Sequence, residues 1–93
     1  MSNIDFDTIE NFLGGTFHQD INSIEDSLSE YILENDSKWV IEITNMLQDF
    51  LNSNVQNKDK FIEDNTEIYF EGMKISPTKW LENIIEEMRQ KCL

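Results

Sequence analysis

The sequence predicts an all-α fold, a small compact bundle of four to five helices with short connections. Apolar residues recur at spacings of three and four along most of the chain, which is the helical period. The one β-prone run, at residues 68–70, is too brief to form a sheet without partner strands. The 93 residues are 39% hydrophobic, which is enough for one core, so we expect a single domain over residues 1–93.

Two helices are expected in the first third of the chain. Asp5 or Asp7 can cap the first helix, and the glycine pair at positions 14 and 15 is expected to end it, since glycine readily forms helix C-caps. Ser23 begins the second helix, with Asp26 three residues on as a weaker form of the capping box. The apolar face of the second helix is expected to consist of Ile24, Leu28, Tyr31 and Ile32.

The third helix carries the clearest core pattern and is expected to be the central packing element. Ser37 is its expected N-cap, and the polar run at residues 52–54 ends it. Because helical neighbours lie three and four residues apart, one face of this helix is apolar over more than three turns. The residues of that face are Trp39, Val40, Ile43, Met46, Leu47, Phe50 and Leu51.

Beyond residue 55 we expect a short helix, an extended connector and a long last helix. Asn57 caps the short helix, at about residues 58–64, which buries Phe61 and Ile62. Residues 68–70 form the connector, turned by Gly72. The Ser-Pro pair at positions 76 and 77 marks the start of the last helix, because proline suits the first helical position. That helix is expected to bury Trp80, Leu81, Ile84, Ile85 and Met88.

Negative charge is concentrated at one end of the chain, whose formal net charge is -12. Residues 1–37 contain nine Asp or Glu residues and no Lys or Arg, whereas the remaining residues contain ten acids and seven bases. Self-repulsion of this kind costs stability, so either solubility or attraction to a cationic partner is its explanation. Nucleic acid is excluded as a direct ligand, because its phosphates would be repelled.

No set of residues in the chain predicts catalysis, a metal site or a bound cofactor. His18 has Asp20 nearby, but metal sites of useful affinity need three or four ligands. We therefore favour a buried, hydrogen-bonded histidine over a metal site or an acid–base pair. Cys92 lies near the C-terminus of the last helix, where the helix dipole disfavours a reactive thiolate. The prediction is a protein that is not an enzyme.

The chain is predicted to be cytoplasmic. A single cysteine builds no disulfide framework and suggests a reducing compartment. The N-terminal stretch MSNIDFDTIE lacks the basic and apolar regions of a signal peptide. No apolar run approaches the length that a membrane-spanning helix needs.

Four stretches of the chain resemble the immunity proteins of contact-dependent growth inhibition, in the helical branch that carries a Phe-His-Gln-Asp motif. They are FLGGTFHQDI at residues 12–21, SIEDSLSEYI at 23–32, WVIEITNMLQDFL at 39–51 and IYFEGMKISPTKWLENI at 68–84. The resemblance implies a cytoplasmic protein that binds and neutralises the C-terminal toxin domain of a neighbouring cell's secreted protein, often a nuclease. It also carries over four structural motif positions, Phe17, His18, Gln19 and Asp20.

Charge placement independently indicates the surface that would meet such a partner. A nuclease needs a cationic cleft to hold phosphate, so a protein that inhibits it benefits from an acidic face. The second helix carries like-charge pairs at i,i+4 spacing, each of which costs an isolated helix roughly 0.2–0.5 kcal/mol. The candidate toxin-binding residues are Glu25, Asp26, Glu30, Glu34 and Asp36, with Glu67, Tyr69 and Glu71 as a secondary set.

Two other functions are left open by the residues. An acidic helical adaptor or regulator would bind some other basic protein, in one form as a mimic of nucleic-acid charge. It shares the charge evidence, so a toxin gene immediately upstream, or growth rescue on co-expression with the toxin, distinguishes the two. A metal-dependent or hydrolytic enzyme would instead change its melting temperature with metal or chelator.

Overall fold

The computed structural model describes residues 4–17, 23–68 and 70–92, and within these ranges every regular element is a helix. The all-α prediction is therefore confirmed. There are six helices among the described residues, more than the four to five expected, because one of them is a single turn. The helices are α1 (Phe6–Thr16), α2 (Ile24–Glu34), α3 (Ser37–Asn52), α4 (Lys58–Asn65), α5 (Phe70–Met73) and α6 (Pro77–Cys92).

Three helices begin at the predicted capping residues. Asp5 caps α1, and its side chain accepts a hydrogen bond from a backbone N–H of the first turn. The Ser23 hydroxyl accepts from the Asp26 N–H at 3.0 Å at the start of α2. The Ser76 hydroxyl accepts from the Lys79 N–H at 3.2 Å at the start of α6. Each side chain thus satisfies one of the N–H groups that a helix start leaves without a partner.

One predicted cap is wrong, and another lies at the predicted residue but lacks a side-chain capping bond. Ser37 is already helical, and Asp36 is the N-cap of α3, with its carboxylate accepting from the Lys38 N–H at 3.3 Å. Both residue types are good caps, so local chemistry does not choose between neighbours. Asn57 precedes α4 as predicted, but it adopts a left-handed conformation (φ 58°) and makes no side-chain capping bond.

The glycine pair does not end α1, which continues through Gly14 and Gly15 to Thr16. Both glycines keep the negative φ of an ordinary helix. A Cβ atom at Gly14 would lie 3.4 Å from the backbone oxygen of Asn65, the last residue of α4. That distance is at the edge of ordinary van der Waals contact, so α4 lies close to position 14 without requiring a glycine there, whereas Gly15 faces open space.

The extended connector expected at residues 68–70 is wrong at Phe70, which begins the single-turn helix α5, while Ile68 lies in no helix. Without a partner strand, a short β-prone segment cannot satisfy its backbone in a ladder, and here the Lys74 N–H donates to the Phe70 oxygen at 3.2 Å. Lys74, with φ 56°, makes the turn that Gly72 was expected to make. Phe70 is buried, packed edge-on against Trp80 with ring centroids 5.4 Å apart.

The core lies mainly between α3 and α6, which pack together more extensively than any other pair of helices, while α4 packs on α6 and α1 packs on α3. Every residue that α6 was expected to bury is buried, so that prediction is confirmed. The buried hydrophobic cluster comprises Ile9, Phe12, Leu13, Phe17, Leu28, Val40, Ile43, Leu47, Phe50, Ile62, Phe70, Trp80, Leu81, Ile84, Ile85 and Met88. The radius of gyration is 12.5 Å, close to the value of about 12.3 Å for a compact domain of this length.

Some predicted core residues are only partly covered. Met46 and Leu51 of α3 and Phe61 of α4 are half-buried against the cluster. Trp39 was expected in the core but is 36% exposed. Its helical position faces the core side, but it lies in the first turn of α3, where its indole N–H bonds to the Tyr31 hydroxyl of α2.

Two charged residues of α4 hold the ends of the long helices. The Lys58 ammonium group donates to the backbone oxygens of Leu51 at 2.9 Å and Ser53 at 2.7 Å, at the C-terminal end of α3. The Asp59 carboxylate accepts from the Thr78 N–H at 2.9 Å, at the start of α6. These bonds place opposite charges at the favourable poles of the two helix dipoles, so α4 supports both helices of the core.

No helix in the described ranges combines the length and the apolar character needed to cross a membrane.

Candidate protein-binding site

The primary set of candidate residues lies on and just after α2, and all five side chains are exposed. Leu28 is the only fully buried residue of α2, which packs on α1 and α6. None of the five acids forms an ion pair with another residue of the ranges 4–17, 23–68 and 70–92. The primary set is Glu25, Asp26, Glu30, Glu34 and Asp36.

Three members of the primary set have a structural reason for their charge. Glu25 and Asp26 lie in the first turn of α2, where the positive pole of the helix dipole favours a carboxylate. Asp36 caps α3. An acid is favourable at these three positions whether or not a partner binds. Their charge alone therefore does not indicate a cationic partner.

Glu30 and Glu34 have no such reason. They form a like-charge i,i+4 pair, and Glu34 is the last residue of α2, at the negative pole of the helix dipole. The last turn of α2 contains no basic residue to offset this charge. Of the primary set, this pair is therefore the one that helix stability does not explain.

A lysine from the other end of the chain lies against α2. The Lys91 ammonium group in the last turn of α6 donates to the Ser29 hydroxyl at 3.0 Å. Ser29 shares a side of α2 with Glu25, four residues earlier, whereas Glu34 lies more than a quarter turn away from it. Lys91 thus reduces the negative potential on one side of α2. Sequence reasoning missed this contact because the two residues are 62 positions apart.

The secondary set belongs to a different part of the fold, the connection from α4 to α5. Glu67 is exposed, and its backbone N–H donates to the Phe17 oxygen at 3.0 Å, which ties this connection to the end of α1. Glu71 lines a shallow groove of about 280 Å³, together with Glu63, Asp64, Ile68 and Phe70. Tyr69 lies outside the described residues.

Of the four motif positions, the structure describes only Phe17. It is fully buried directly after α1, with its ring packed edge-on at 5.7 Å from the Phe12 ring and 4.9 Å from the Trp80 ring. Its burial agrees with a structural role, which stays a prediction for the motif as a whole. His18, Gln19 and Asp20 lie outside the described residues.

Sequence reasoning missed a surface groove with aromatic walls between α1, α2 and α3. The Trp39 indole N–H donates to the Tyr31 hydroxyl at 2.9 Å, and the Tyr31 ring packs edge-on against Phe12 at 4.9 Å. The pair borders a groove of about 250 Å³, which we call the Tyr31–Trp39 groove. Its lining residues are Thr8, Asn11, Phe12, Tyr31, Trp39 and Ile43.

The signal that could have revealed the groove is the place of Trp39 in the chain. Trp39 lies in the first turn of α3, only five residues after the end of α2. Helical periodicity identifies the side of a helix but not how far along its axis the partner helices extend.

The groove has a defined charge state at neutral pH. The Asp5 carboxylate accepts from the Thr8 hydroxyl at 2.6 Å and from the Thr8 N–H at 3.1 Å, and these bonds lower the pKa of Asp5. Burial raises the pKa of Tyr31, opposed in part by the hydrogen bond from Trp39. The Asp5 carboxylate, bonded to Thr8 of the groove wall, is therefore charged, while the Tyr31 hydroxyl is neutral and keeps a proton to donate.

Among the described residues, the candidate site combines exposed carboxylates on α2 with an aromatic groove. Aromatic side chains and charged rims are features of protein–protein interfaces. The pattern of the whole chain agrees with this, because a family model described as CdiI immunity protein matches residues 5–88. No curated protein and no solved structure gives a significant match. The chain therefore belongs to the family of CdiI immunity proteins, the immunity proteins of contact-dependent growth inhibition.

Proposed function

We propose that this immunity protein neutralises its cognate toxin domain by binding it through the acidic surface of α2, and that the toxin is a basic nuclease. Family membership supports neutralisation of a toxin. The acidic surface and the nuclease follow from the charge distribution and from the demand of a phosphate-binding cleft for positive charge. Neutralisation is stoichiometric occlusion in the cytoplasm, without catalysis.

The observation that carries the proposal is the Glu30–Glu34 pair. Both carboxylates are exposed, they repel one another along α2, and Glu34 opposes the helix dipole. A sequence under pressure for stability alone would place a lysine at one of these positions. A cationic partner accounts for both acids, because it offsets their repulsion on binding.

The acidic surface acts chiefly on the rate of capture. Complementary potentials raise association from roughly 10⁵–10⁶ M⁻¹s⁻¹ toward about 10⁸–10⁹ M⁻¹s⁻¹ at low salt. Salt screens such steering over a Debye length of about 8 Å at physiological ionic strength. A toxin that cuts nucleic acid must be stopped before many turnovers, so a high association rate is the property that protects the cell.

The test compares two double charge reversals, measured by stopped-flow association with the purified toxin fragment encoded beside this gene. Glu30→Lys with Glu34→Lys should slow association at least tenfold at low salt and flatten its salt dependence. The control is Glu82→Lys with Glu86→Lys, which makes the same charge change at the same spacing on α6 and also removes the surface ion pair of Glu82 with Lys79. It should slow association less than threefold. Equal slowing by both variants would contradict a specific role for α2.

The nuclease assignment has its own test. The toxin fragment should degrade RNA or DNA, and one equivalent of the immunity protein should abolish this activity. Failure of the fragment to bind at all would instead favour the alternative, an acidic adaptor whose basic partner is another protein.

A further inference from the structure

We propose that the Tyr31–Trp39 groove receives an arginine side chain of the toxin and is the anchor of the complex. This inference rests on the proposed function, because it assumes that the partner is the basic toxin domain. It goes beyond that function by assigning to one groove the residue type that it binds and the step of binding that it controls.

The groove walls are ordered before any partner arrives. Trp39 is 36% exposed, yet its indole N–H is bonded to Tyr31, and Tyr31 packs on the buried ring of Phe12. An exposed tryptophan held in one orientation loses little side-chain freedom on binding. Ile43, fully buried, also lines the groove, which gives it a rigid apolar base.

The size of the groove selects a single side chain. Its volume of about 250 Å³ lies below the range of about 300–1,000 Å³ that is usual for small-molecule sites. A groove of this size is too small for a helix or a strand, and it is open to solvent on one side. A long, unbranched side chain that projects from a partner surface fits these dimensions.

The surrounding charges select a cation. Asp5 is bonded to Thr8 of the groove wall. By helical register, Glu34 lies one turn beyond Tyr31, and Asp36 and Glu42 lie about one turn before and after Trp39. The one base close by in sequence, Lys38, precedes Trp39 directly and projects about 100° away around α3.

Arginine satisfies these requirements better than lysine. Its planar guanidinium stacks on aromatic faces, and tryptophan is the strongest aromatic partner for a cation. Its five N–H donors can bond to rim carboxylates and to the Tyr31 hydroxyl oxygen at the same time. Arginine, tryptophan and tyrosine are also the residues that most often carry the binding energy of an interface.

The groove aromatics therefore act mainly on dissociation and the α2 acids mainly on association, with Glu34 close to both. Exposed rim charges mainly change association, whereas a buried anchor mainly changes dissociation. Charge reversal at Glu30 and Glu34 tests the proposed function through the association rate. Substitution in the groove tests the present inference through the dissociation rate.

The decisive variant is Trp39→Ala, with Ile41→Ala as the matched control. Ile41 is 42% exposed on the same helix but projects about half a turn away from Trp39. With the purified toxin fragment, Trp39→Ala should raise the dissociation rate at least twentyfold and change the association rate less than threefold. Ile41→Ala should leave both within twofold. An unchanged dissociation rate for Trp39→Ala would overturn the proposal that the groove anchors the complex. If the Glu30→Lys, Glu34→Lys variant still associates slowly, the proposed function is unaffected.

A double-mutant cycle identifies the residue that enters the groove. Each arginine of the toxin fragment is replaced by alanine and tested against both wild-type and Trp39→Ala immunity protein. Replacement of one arginine should raise the dissociation rate at least tenfold with the wild-type immunity protein and less than threefold with the Trp39→Ala variant. Coupling to an apolar toxin residue, and to no arginine, would overturn the assignment of arginine.

The wild-type protein provides a test that does not depend on how a variant folds. Its two tryptophans give two indole N–H signals in an NMR spectrum, one from the exposed Trp39 and one from the buried Trp80. Addition of the toxin fragment should shift the Trp39 signal strongly and the Trp80 signal little. A bound complex in which the Trp39 signal does not move would overturn the inference.

Discussion

The two halves of the molecule use their charged side chains differently. From α3 onward, several charges are bonded within the fold. Lys58 bonds to the end of α3, Asp59 bonds to the start of α6, and surface ion pairs form within α4 and α6. On α2, Glu30 and Glu34 make no ion pair within the described ranges. The second half therefore uses several of its charges to stabilise the fold. In the first half Asp5 and Asp36 cap helices, whereas Glu30 and Glu34 have no such use.

Packing also distinguishes α2 from the two long helices. α3 and α6 have 16 residues each and form most of the core between them, whereas α2 has 11 residues and buries only Leu28 fully. Because α2 contributes less to the core, its exposed face can carry unfavourable charge without unfolding the protein. A small domain can in this way separate the residues that stabilise it from those that bind.

The largest expected effect is the loss of unfolding free energy when a core leucine is truncated, which should differ between α3 and α2. Leu47→Ala in α3 should lower the free energy of unfolding by about 3–5 kcal/mol, because the packed α3–α6 interface cannot close the cavity. Leu28→Ala, at an equally buried position, should cost nearer 2 kcal/mol, since α2 can relax toward the space. Urea denaturation measures both values. A larger cost at Leu28 would reverse the assignment of stability to α3 and α6.

The next prediction concerns the charges bonded within the second half. Lys58→Met should lower the free energy of unfolding by about 1–2 kcal/mol, because two backbone oxygens lose a charged donor. The control is Lys60→Met, whose ammonium group pairs with Asp64 at the surface at 3.3 Å. That change should stay within about 0.5 kcal/mol. Equal effects in thermal or urea unfolding would show that the Lys58 bonds contribute nothing specific.

A smaller effect, in the stabilising direction, is expected in α1. Gly15→Ala should raise the free energy of unfolding by about 0.5–1 kcal/mol, because alanine favours the helix and the new Cβ meets open space. Gly14→Ala should gain less, since its Cβ would lie 3.4 Å from the Asn65 oxygen. A loss of stability at Gly15 would show that α1 does not continue through the pair in solution.

The smallest expected effect tests whether Lys91 offsets the acidic surface. Lys91→Ala should change the free energy of unfolding by less than about 0.5 kcal/mol, as is usual for surface substitutions. It should speed association with the toxin fragment about twofold at low salt, because a cation beside Ser29 is removed. Arg89→Ala removes the same charge two residues earlier in α6 and should increase the association rate by a smaller factor. A slower association for Lys91→Ala would place Lys91 in the binding surface.

Local sequence signals were sufficient for much of the fold and only part of the site. The apolar spacing predicted α6 and its buried face, and the serines at 23 and 76 predicted two helix starts, because these features depend on neighbours a few residues apart. The glycine pair was misread, since glycine permits a helix end without requiring one. Helical periodicity assigned Trp39 to the core and missed its exposure, because periodicity does not show how far along α3 the partner helices extend.

The amino-acid sequence by itself determined that the protein is helical, strongly acidic and a member of the CdiI immunity proteins. These properties follow from composition, short-range spacing and the pattern of residues 5–88. Only the tertiary structure decided which acids the helix ends already explain, that Lys91 lies against α2, and that Tyr31 and Trp39 border one groove. Each of these depends on contacts between helices, and such contacts are set by how the whole core packs.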